Sequence, residues 1–291
     1  MEKIELCQRD EVEAIRLKYG HETASHAFAS LYIWQWDMGL TILLEPDMFA
    51  VKCRWKGENA WFFPCGGEEA KARFLRGHLG EPDFKLCYIR LEDKAFLEKC
   101  FEGRFILRET PNDHEYLYDR QEQILLAGGR FYSMRRHRSR LMREHEVTIH
   151  RLCPGEMRAA LEIAGEWKHR PHPEGEGGLM DRHAVTAVLE RARELEITAI
   201  LAYVDGREAA LCGGYGLCGH IFDLSFAKQR ENMAGLSAYA RGELLRILPD
   251  RYTYINAEED LGLEGLRNLK QNMRPIGMNR MFEGEVRRDE A

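Results

Sequence analysis

The sequence predicts a mixed α/β (α+β) protein made of two halves with a similar order of elements. The chain has 291 residues, which is long for one hydrophobic core and suits two domains of about 150 residues each. Short β-prone runs alternate with segments of helical periodicity along its length. An arginine-rich segment separates the halves. We therefore predict an N-terminal domain over 1–128, a basic linker helix over 129–146 and a C-terminal domain over 147–291.

The first half predicts a helix followed by a β-meander and then alternating helices and strands. The aromatic run at 25–39 is expected to be helical, with Ser25 as its candidate N-cap. Turn residues at 45–47 and 56–59 separate the first three strands. The remaining predictions are strands at 41–45, 48–54, 60–63, 84–91 and 104–110, and helices at 68–79 and 93–101.

The second half repeats this order more clearly, as helix–helix–three strands–helix–strand–helix–strand. Helices are predicted at 155–170, 181–196, 235–249 and 263–273, and strands within 197–228 and at 251–258 and 278–286. This is the order of a GNAT acyltransferase domain, a mixed α/β fold with a splayed central sheet. The order is a fold-level analogy and does not determine the chemistry. Two copies would account for the length, so we predict two tandem GNAT-like domains.

Composition indicates a globular protein, with 44% hydrophobic and 31% charged residues. The charged N-terminus does not resemble a secretory signal, and no apolar run approaches the roughly 18 residues of a membrane helix. The eight cysteines include no Cys-x-x-Cys pair, which is typical of reduced thiols in a cytoplasmic protein, and we expect no metal site. The net charge of −6 argues against bulk nucleic-acid binding, so we expect no DNA partner.

The segment 130–146 is the exception to this acidic balance, because it holds six arginines against two glutamates. Its apolar residues recur with helical spacing, so we predict a helix covered largely by arginine. One interpretation is a solvated helix between the domains. The other is an anion-binding surface facing a phosphate-bearing donor, since arginine forks suit phosphate, with Arg135, Arg136 and Arg138 as candidate residues.

Three blocks of the sequence resemble the family of the C-terminal domain of phosphatidylglycerol lysyltransferases. They are residues 25–34 (SHAFASLYIW), 114–141 (HEYLYDRQEQILLAGGRFYSMRRHRSRL) and 254–275 (YINAEEDLGLEGLRNLKQNMRP). The resemblance implies two GNAT-like domains joined by a basic helix, related to the Fem-type aminoacyltransferases that use aminoacyl-tRNA. Characterised membrane enzymes of this family transfer an amino acid from tRNA to a lipid head group, whereas we expect no membrane-spanning half here. Peripheral lipid contact is left open.

The loop that would bind a donor phosphate departs from the pattern of GNAT enzymes. Those that use acetyl-CoA hold its pyrophosphate on a Q/R-x-x-G-x-G/A loop at a helix start, where backbone N–H groups meet the phosphates. The best match lies within 231–239, with Asn232, Gly235 and Ser237 at those positions. Three interpretations are equally consistent with this loop: a degenerate CoA site, an altered donor site and an ordinary capped helix.

Opposed charges concentrate at one strand-to-helix corner, residues 254–273. Three acids at 258–260 precede a predicted helix that carries Arg267 and Lys270 beside its apolar stripe. One interpretation is a helix start with surface ion pairs, worth about 0–1 kcal/mol each.

The alternative for this corner is the polar wall of an active site. Acyl transfer needs a base for the acceptor's proton and donors for the oxyanion. A partly buried glutamate has a raised pKa suited to a base, so Glu258 or Glu259 is the candidate base, with Arg267 and Lys270 as anion-binding residues. Tyr239 is a weaker candidate for protonating a leaving group, against a core or boundary role.

Two further patterns are weak evidence for a metal site and for a nucleophilic cysteine. The sequence His169-x-x-His172 contains prolines that prevent a regular helix, so it does not predict a metal site. Cys65 lacks a neighbouring basic activator, which argues against a nucleophilic cysteine.

We expect an acyl- or aminoacyltransferase with acyl-CoA or aminoacyl-tRNA as donor and a small amine or hydroxyl compound as acceptor. Transfer would be direct, with no metal and no permanently bound cofactor. A non-catalytic GNAT-like module that binds a small ligand or a protein is the alternative. An RNA-binding module using the basic helix is a third interpretation, which predicts steep salt dependence.

Overall fold

The computed structural model describes residues 1–169 and 183–288, which form two seven-stranded sheets covered by helices. The elements up to the middle of the chain are α1 (Arg9–Lys18), α2 (Phe28–Met38), β1 (Thr41–Glu45), β2 (Met48–Trp55), β3 (Glu58–Phe62), β4 (Cys65–Gly66), α3 (Glu68–His78), β5 (Lys85–Arg90), α4 (Leu91–Cys100), β6 (Phe105–Glu109), β7 (Glu115–Asp119), α5 (Arg120–Leu125) and α6 (Tyr132–Glu144). Those that follow are β8 (Val147–Arg151), α7 (Met157–His169), α8 (Ala184–Glu190), β9 (Thr198–Val204), β10 (Arg207–Gly216), β11 (Ile221–Gln229), α9 (Leu236–Ile247), β12 (Tyr254–Asn256), α10 (Glu264–Asn272), β13 (Gly277–Asn279) and β14 (Met281–Val286).

The two sheets have the same internal plan, as expected for tandem GNAT-like domains. The first has the order β1-β2-β3-β5-β14-β6, with β4 paired to β2, and the second has the order β13-β7-β12-β11-β10-β9-β8. The pairs β3–β5 and β11–β12 are parallel, whereas the other pairs among the described strands are antiparallel. Each sheet is thus an antiparallel meander joined through one parallel pair to a three-stranded end.

The sheets exchange one strand in each direction. Strand β14, near the end of the chain, lies between β5 and β6 of the first sheet. Strand β7, from the first half of the sequence, lies between β12 and β13 of the second. The division at residues 128 and 147 remains a prediction about domains, but neither sheet is built from one side of it alone.

The parallel pair in the second sheet is short. Its register covers Ile221–Asp223 against Tyr254–Asn256, although β11 continues to Gln229. Beyond Asp223 and Asn256 the two strands no longer pair, so the backbone opens at this point. The acidic corner predicted at 258–260 follows directly, which places its side chains where the sheet splits.

Most predicted elements are present, and the exceptions have physical reasons. Ser25 is not the N-cap of α2, because that helix starts at Phe28 after Ala27, and Ser25 lies in a preceding 3₁₀ turn. The predicted strand 278–286 is two strands, since its two parts belong to different sheets. The helix predicted at 181–196 ends at Glu190.

Five elements were not predicted, namely α1, β4, β7, α5 and β8. Residues 170 and 181–182, at the edges of two predicted helices, lie outside the described residues. Strand β7 escaped prediction because its sequence, EYLYD, is short and polar at both ends.

A single hydrophobic core joins the two halves. Phe28 and Phe49 of the first half belong to the same buried cluster as Ile163 and Leu201 of the second. Burial of large apolar side chains contributes about 1.5–3 kcal/mol each, so this shared core opposes separation of the halves. Within the described part of the chain, we find no helix with the length and apolar character needed to traverse a bilayer.

The strand exchange makes a prediction about truncation. A chain ending at Arg280 lacks β14 and should lose the cooperative unfolding of the first sheet, because β5 and β6 lose their shared neighbour and Phe282 leaves the core. Urea unfolding followed by circular dichroism should show at least about 4 kcal/mol of destabilisation. A chain ending at Arg288 is the matched control and should unfold as the full chain does. Equal stability of the two truncated chains would contradict this view of the fold.

Candidate functional site

Four carboxyl groups gather where the second sheet splits. Glu115 begins the exchanged strand β7 and Asp223 lies on β11, and neither has measurable exposure. Glu258 and Glu259 follow β12 and are partly buried. Strand exchange and the end of strand pairing together bring these acids into one region, around the ammonium group of Lys270.

Asn256, the last residue of β12, organises two of these acids. Its side-chain nitrogen donates to Glu115 Oε2 at 2.6 Å, and its side-chain oxygen accepts from the backbone N–H of Glu258 at 2.8 Å. Glu258 has a left-handed backbone (φ 55°), which is uncommon for a residue with a side chain. The amide of Asn279 and the backbone N–H of Ser25 also donate to Glu115, at 3.0 and 3.2 Å.

Burial sets the protonation behaviour of the cluster. It raises the pKa of Glu115 to about 7, against the opposing effect of hydrogen bonds from Asn279 and Asn256. It also raises the pKa of Glu258 well above its usual value, and the negative charges of Asp223 and Glu259 add to this effect. Both groups therefore hold their protons to higher pH than ordinary glutamates do.

Asp223 is the least satisfied acid of the cluster. Neither of its carboxyl oxygens has a hydrogen-bond partner within the described residues, and the same holds for the Tyr215 hydroxyl. Burial, with the nearby charge of Glu115, raises the pKa of Asp223. The side chains of Tyr215 and Glu258 lie near Asp223 without good hydrogen-bond geometry and lower this pKa in part. A buried polar group without a partner costs about 1–3 kcal/mol, so this position is unfavourable unless a ligand or solvent satisfies it.

Lys270 is the cation of the cluster. Its ammonium group on α10 donates to the backbone oxygens of Ala257 and Glu259, and only 8% of the residue is exposed. Burial lowers the pKa of Lys270, while the charges of Glu258 and Glu259 raise it in part. The predicted anion-binding lysine thus faces carboxylates and holds the backbone of the corner.

Arg267 forms an ion pair with Asp260. Its guanidinium group donates to both carboxylate oxygens at 2.9 Å and to Asn112 Oδ1 at 2.6 Å. Burial alone would raise the pKa of Asp260, but hydrogen bonds from Arg267 and the Tyr116 hydroxyl hold it below its usual value. Asp260 is therefore an ionised structural partner and is distinct from the two glutamates before it.

Glu258 and Glu259 line a small cavity of about 20 Å³ between the two halves. Ser30 and Trp34 of α2 form another part of its wall, and Tyr88 of β5 closes it from the first sheet. The Tyr88 hydroxyl donates to Glu259 Oε1 at 3.3 Å. An acidic wall facing an aromatic and hydroxyl-bearing wall is a setting that can hold a small polar group.

The arginines of the basic helix have different environments. Arg135 donates to the backbone oxygens of Leu126 and Gly128, the latter at 2.6 Å, and Arg138 donates to Ile124 O at 3.4 Å. These two side chains therefore bind the carbonyl end of α5. Arg136 is exposed.

Tyr239 lies apart from the acidic cavity. It is partly buried on α9, where burial raises its pKa and the nearest charges are those of Glu243, Arg246 and Arg138. The cavity residues given above do not include it.

The predicted phosphate loop starts α9, and a neighbouring helix packs against it. Gly235 is the N-cap with φ 94°, and a Cβ atom there would lie 2.5 Å from the carbonyl oxygen of His137 in α6. Asn232 is exposed and Ser237 is partly buried. Close approach of two helices explains the glycine without a ligand.

The equivalent helix start in the first half, at α3, is also closed. A Cβ atom on Gly67 would lie 2.6 Å from the Asp47 side chain, and the first turn carries Glu68 and Glu69. Carboxylates at this position repel a phosphate.

Sequence reasoning missed Glu115 and Asp223. A usable signal existed for Asp223, because an acid stands among apolar residues within Ile221–Gln229, a segment predicted as a strand. No local signal marks Glu115, since only the strand exchange carries it into the second sheet. Of the two histidines at 169 and 172, the second lies outside the described residues.

The raised pKa of Glu115 predicts a pH-dependent stability. The unfolded chain loses this proton near pH 4.5 and the folded chain near pH 7, so stability should fall as pH rises across that window, by roughly 3 kcal/mol. In Glu115→Gln the fall should be smaller, as measured by urea unfolding at pH 5 and 8. Glu264→Gln, at an exposed position, is the control and should keep the wild-type dependence. An unchanged pH dependence in Glu115→Gln would exclude a proton on Glu115 at neutral pH.

Two solved structures are similar to this chain over nearly their whole lengths. A conserved protein of unknown function from Bacteroides thetaiotaomicron VPI-5482 has a TM-score of 0.88 and 23% identity, covering 98% of this chain and 99% of that one. L-PGS from Bacillus licheniformis has a TM-score of 0.69 and 12% identity, covering 100% and 94%. No curated protein matches the sequence.

The family comparison agrees with the resemblance seen in the sequence. The model for the C-terminal part of phosphatidylglycerol lysyltransferase matches residues 17–280, which include the strand exchange of the second sheet and the whole acidic site. The chain therefore belongs to the phosphatidylglycerol lysyltransferase C-terminal family, with a GNAT-like fold.

Proposed function

We propose that this protein is an acyl- or aminoacyltransferase that delivers its group to a small amine or hydroxyl acceptor in the cavity at Glu258 and Glu259. The observation that carries the proposal is the cluster of four buried or partly buried carboxyls with one ammonium group, of which Glu258 and Glu259 line the cavity. Membership of the lysyltransferase family and the GNAT-like fold support the same class of reaction.

The cluster suits the chemistry of acyl transfer to an amine. An amine acceptor must lose a proton before or during attack on the acyl carbon, and a base titrating near neutrality serves this step best. Burial and neighbouring acids raise the pKa of Glu258, which makes it the base in our proposal. Glu259, fixed by the Tyr88 hydroxyl, is the second candidate.

The excess of carboxyl groups also favours a cationic substrate. The cluster has one ammonium group for four acids. A protonated amine would therefore offset the repulsion between carboxylates, which now raises the pKa of Asp223, Glu258 and Glu259. That amine could belong to the acceptor or to the amino group of an aminoacyl donor.

Steric closure favours aminoacyl-tRNA over acyl-CoA as the donor. In a GNAT enzyme the pyrophosphate would meet the start of α9, but the backbone of His137 packs against Gly235 there. The start of α3 is acidic and packs against Asp47. An RNA donor needs neither position, and the exposed Arg136 offers a cation to its phosphates.

One observation favours a non-catalytic binding module as the second candidate. The two predicted anion-binding residues are occupied by protein groups, Arg267 by Asp260 and Lys270 by backbone oxygens. Neither cation is free to stabilise an oxyanion in this state. A module of this kind would bind a cationic ligand at the acids without turning it over.

Substituting the candidate base should separate these functions. Glu258→Gln or Glu259→Gln should lower transfer at least 100-fold, since proton transfer by a positioned side chain contributes about 10²–10⁴-fold. Transfer is measured as loss of acid-precipitable label from a mixed radiolabelled aminoacyl-tRNA pool, with small amines and amino alcohols supplied as acceptors. The wild-type rate should rise with pH as Glu258 ionises. Glu264→Gln is the matched control and should retain activity.

Full activity in both Glu258→Gln and Glu259→Gln would remove the base assignment. The binding module would be established instead by two results together. The wild type would show no turnover, and it would bind a small amine that Glu258→Gln no longer binds. Unfolding curves of each variant show whether lost activity reflects lost structure.

The donor proposal has its own test. CoA and acetyl-CoA should leave the melting temperature unchanged, because a ligand stabilises only by binding the folded state. Bulk tRNA should bind, with affinity falling at least tenfold between about 50 and 200 mM salt. Arg136→Ala should weaken that binding, and Arg193→Ala, another exposed arginine, should not. Stabilisation by CoA without tRNA binding would reverse the choice of donor.

A further inference from the structure

A second cluster of reactive side chains lies away from the acidic cavity. Glu22, in the loop between α1 and α2, meets Cys218 and His220 in the turn between β10 and β11. The carboxylate oxygen, the thiol sulfur and the ring nitrogen all lie within 4.8 Å of one another. The proposed transfer reaction uses none of these three groups, although Cys218 packs against the hydrophobic core.

The loops that carry the cluster are fixed by one buried arginine. Arg16 on α1 is 1% exposed, and its guanidinium group donates to the carbonyl oxygen of His21 at 2.6 Å and to that of Leu217. His21 directly precedes Glu22, and Leu217 directly precedes Cys218. A single side chain therefore holds the two loops together, and the position of the cluster does not depend on flexible surface contacts alone.

The spacing within the cluster is that of ligands to one metal ion. The distance from Cys218 Sγ to His220 Nδ1 is 3.7 Å. With bonds of about 2.3 Å to sulfur and 2.0 Å to nitrogen, two ligands of a tetrahedral zinc ion stand about 3.5 Å apart. The His220 ring also packs edge-on against Tyr254 at 5.9 Å, which restricts its rotation.

We propose that Glu22, Cys218 and His220 form a zinc-binding site that links the two halves of the protein. A thiolate, an imidazole and a carboxylate are the ligand types that zinc accepts, and the sulfur selects against magnesium and calcium. Three protein ligands leave a fourth position for water. Glu22 and His220 line a larger cleft of about 570 Å³, so that fourth position faces the cleft.

The environment of Cys218 works against a free thiolate. Burial raises the pKa of the Cys218 thiol, and the charge of Glu22 raises it further, whereas backbone N–H groups of His220 and Ile221 lower it. A zinc ion would replace the thiol proton, which is released to solvent, and would offset the charge of Glu22. Without a cation, the same environment disfavours a free thiolate and hence a nucleophilic cysteine.

Sequence spacing could not reveal this site. Cys218 and His220 are two positions apart, but Glu22 lies 196 positions before Cys218 and no Cys-x-x-Cys pair exists. The absence of a familiar motif led to the expectation of no metal. Only the fold, through Arg16, brings the third ligand to the other two.

Metal binding to the full chain tests the proposal directly. Zinc titrated into metal-free protein by calorimetry should bind one ion per chain and raise the melting temperature. Cobalt should give a thiolate-to-metal charge-transfer band. Cys218→Ser should abolish that band and weaken zinc binding about 100-fold or more, and His220→Gln should weaken binding similarly. Glu22→Gln should weaken binding but retain the band.

Cys153→Ser removes another exposed cysteine and is the matched control, which should keep both the band and the affinity. The proposal is overturned if the wild type binds no stoichiometric zinc, or if Cys218→Ser and His220→Gln bind it as the wild type does. Circular dichroism of each variant confirms that the fold persists, which is expected because Glu22 and His220 are exposed.

Discussion

The pairing of β7 with β12 is the constraint on which the acidic site depends. It brings Glu115, from the first half of the sequence, beside Asn256 at the point where β11 and β12 stop pairing. The hydrogen bonds that Glu115 receives from Asn256 and Asn279 join three strands through one carboxyl group. The reciprocal strand β14 completes the other sheet, so each sheet contains a strand from the other half of the sequence.

Desolvation is the main cause of the raised pKa values at the site. Carboxyl groups of this kind are normally exposed and ionised, whereas here burial is the largest influence on the pKa of Glu115, Asp223 and Glu258. Burying these acids costs desolvation free energy, and they are buried beside a cavity. Acids with strongly shifted pKa values at a cavity are a common property of functional sites. Asp260, two residues after Glu258, shows the contrast, since its pair with Arg267 keeps it ionised.

The sequence was sufficient for the fold class and for the location of the acidic corner. Helical periodicity identified α10, and the change from a β-prone run to that helix pointed to Glu258 and Glu259. Periodicity identifies the face on which Lys270 lies, but it does not identify the groups opposite that face. Glu115 and Glu22 could not be found by local pattern, because long-range pairing and one buried arginine bring them to their partners. For Gly235 the sequence leaves open a degenerate CoA site, an altered donor site and an ordinary capped helix, and helix packing is a sufficient reason for the glycine.

The exchanged strands also affect how the chain must be made. Strand β5 pairs with β3 but lacks its second neighbour until β14, at Met281–Val286, has been synthesised. Strand β12 must pair with β7, a strand synthesised more than a hundred residues earlier. Contacts of such long range slow folding, and unpaired strand edges attract other chains in the meantime. Both sheets therefore stay incomplete until β13 and β14 have emerged, and nascent chains of this architecture have reason to depend on chaperones.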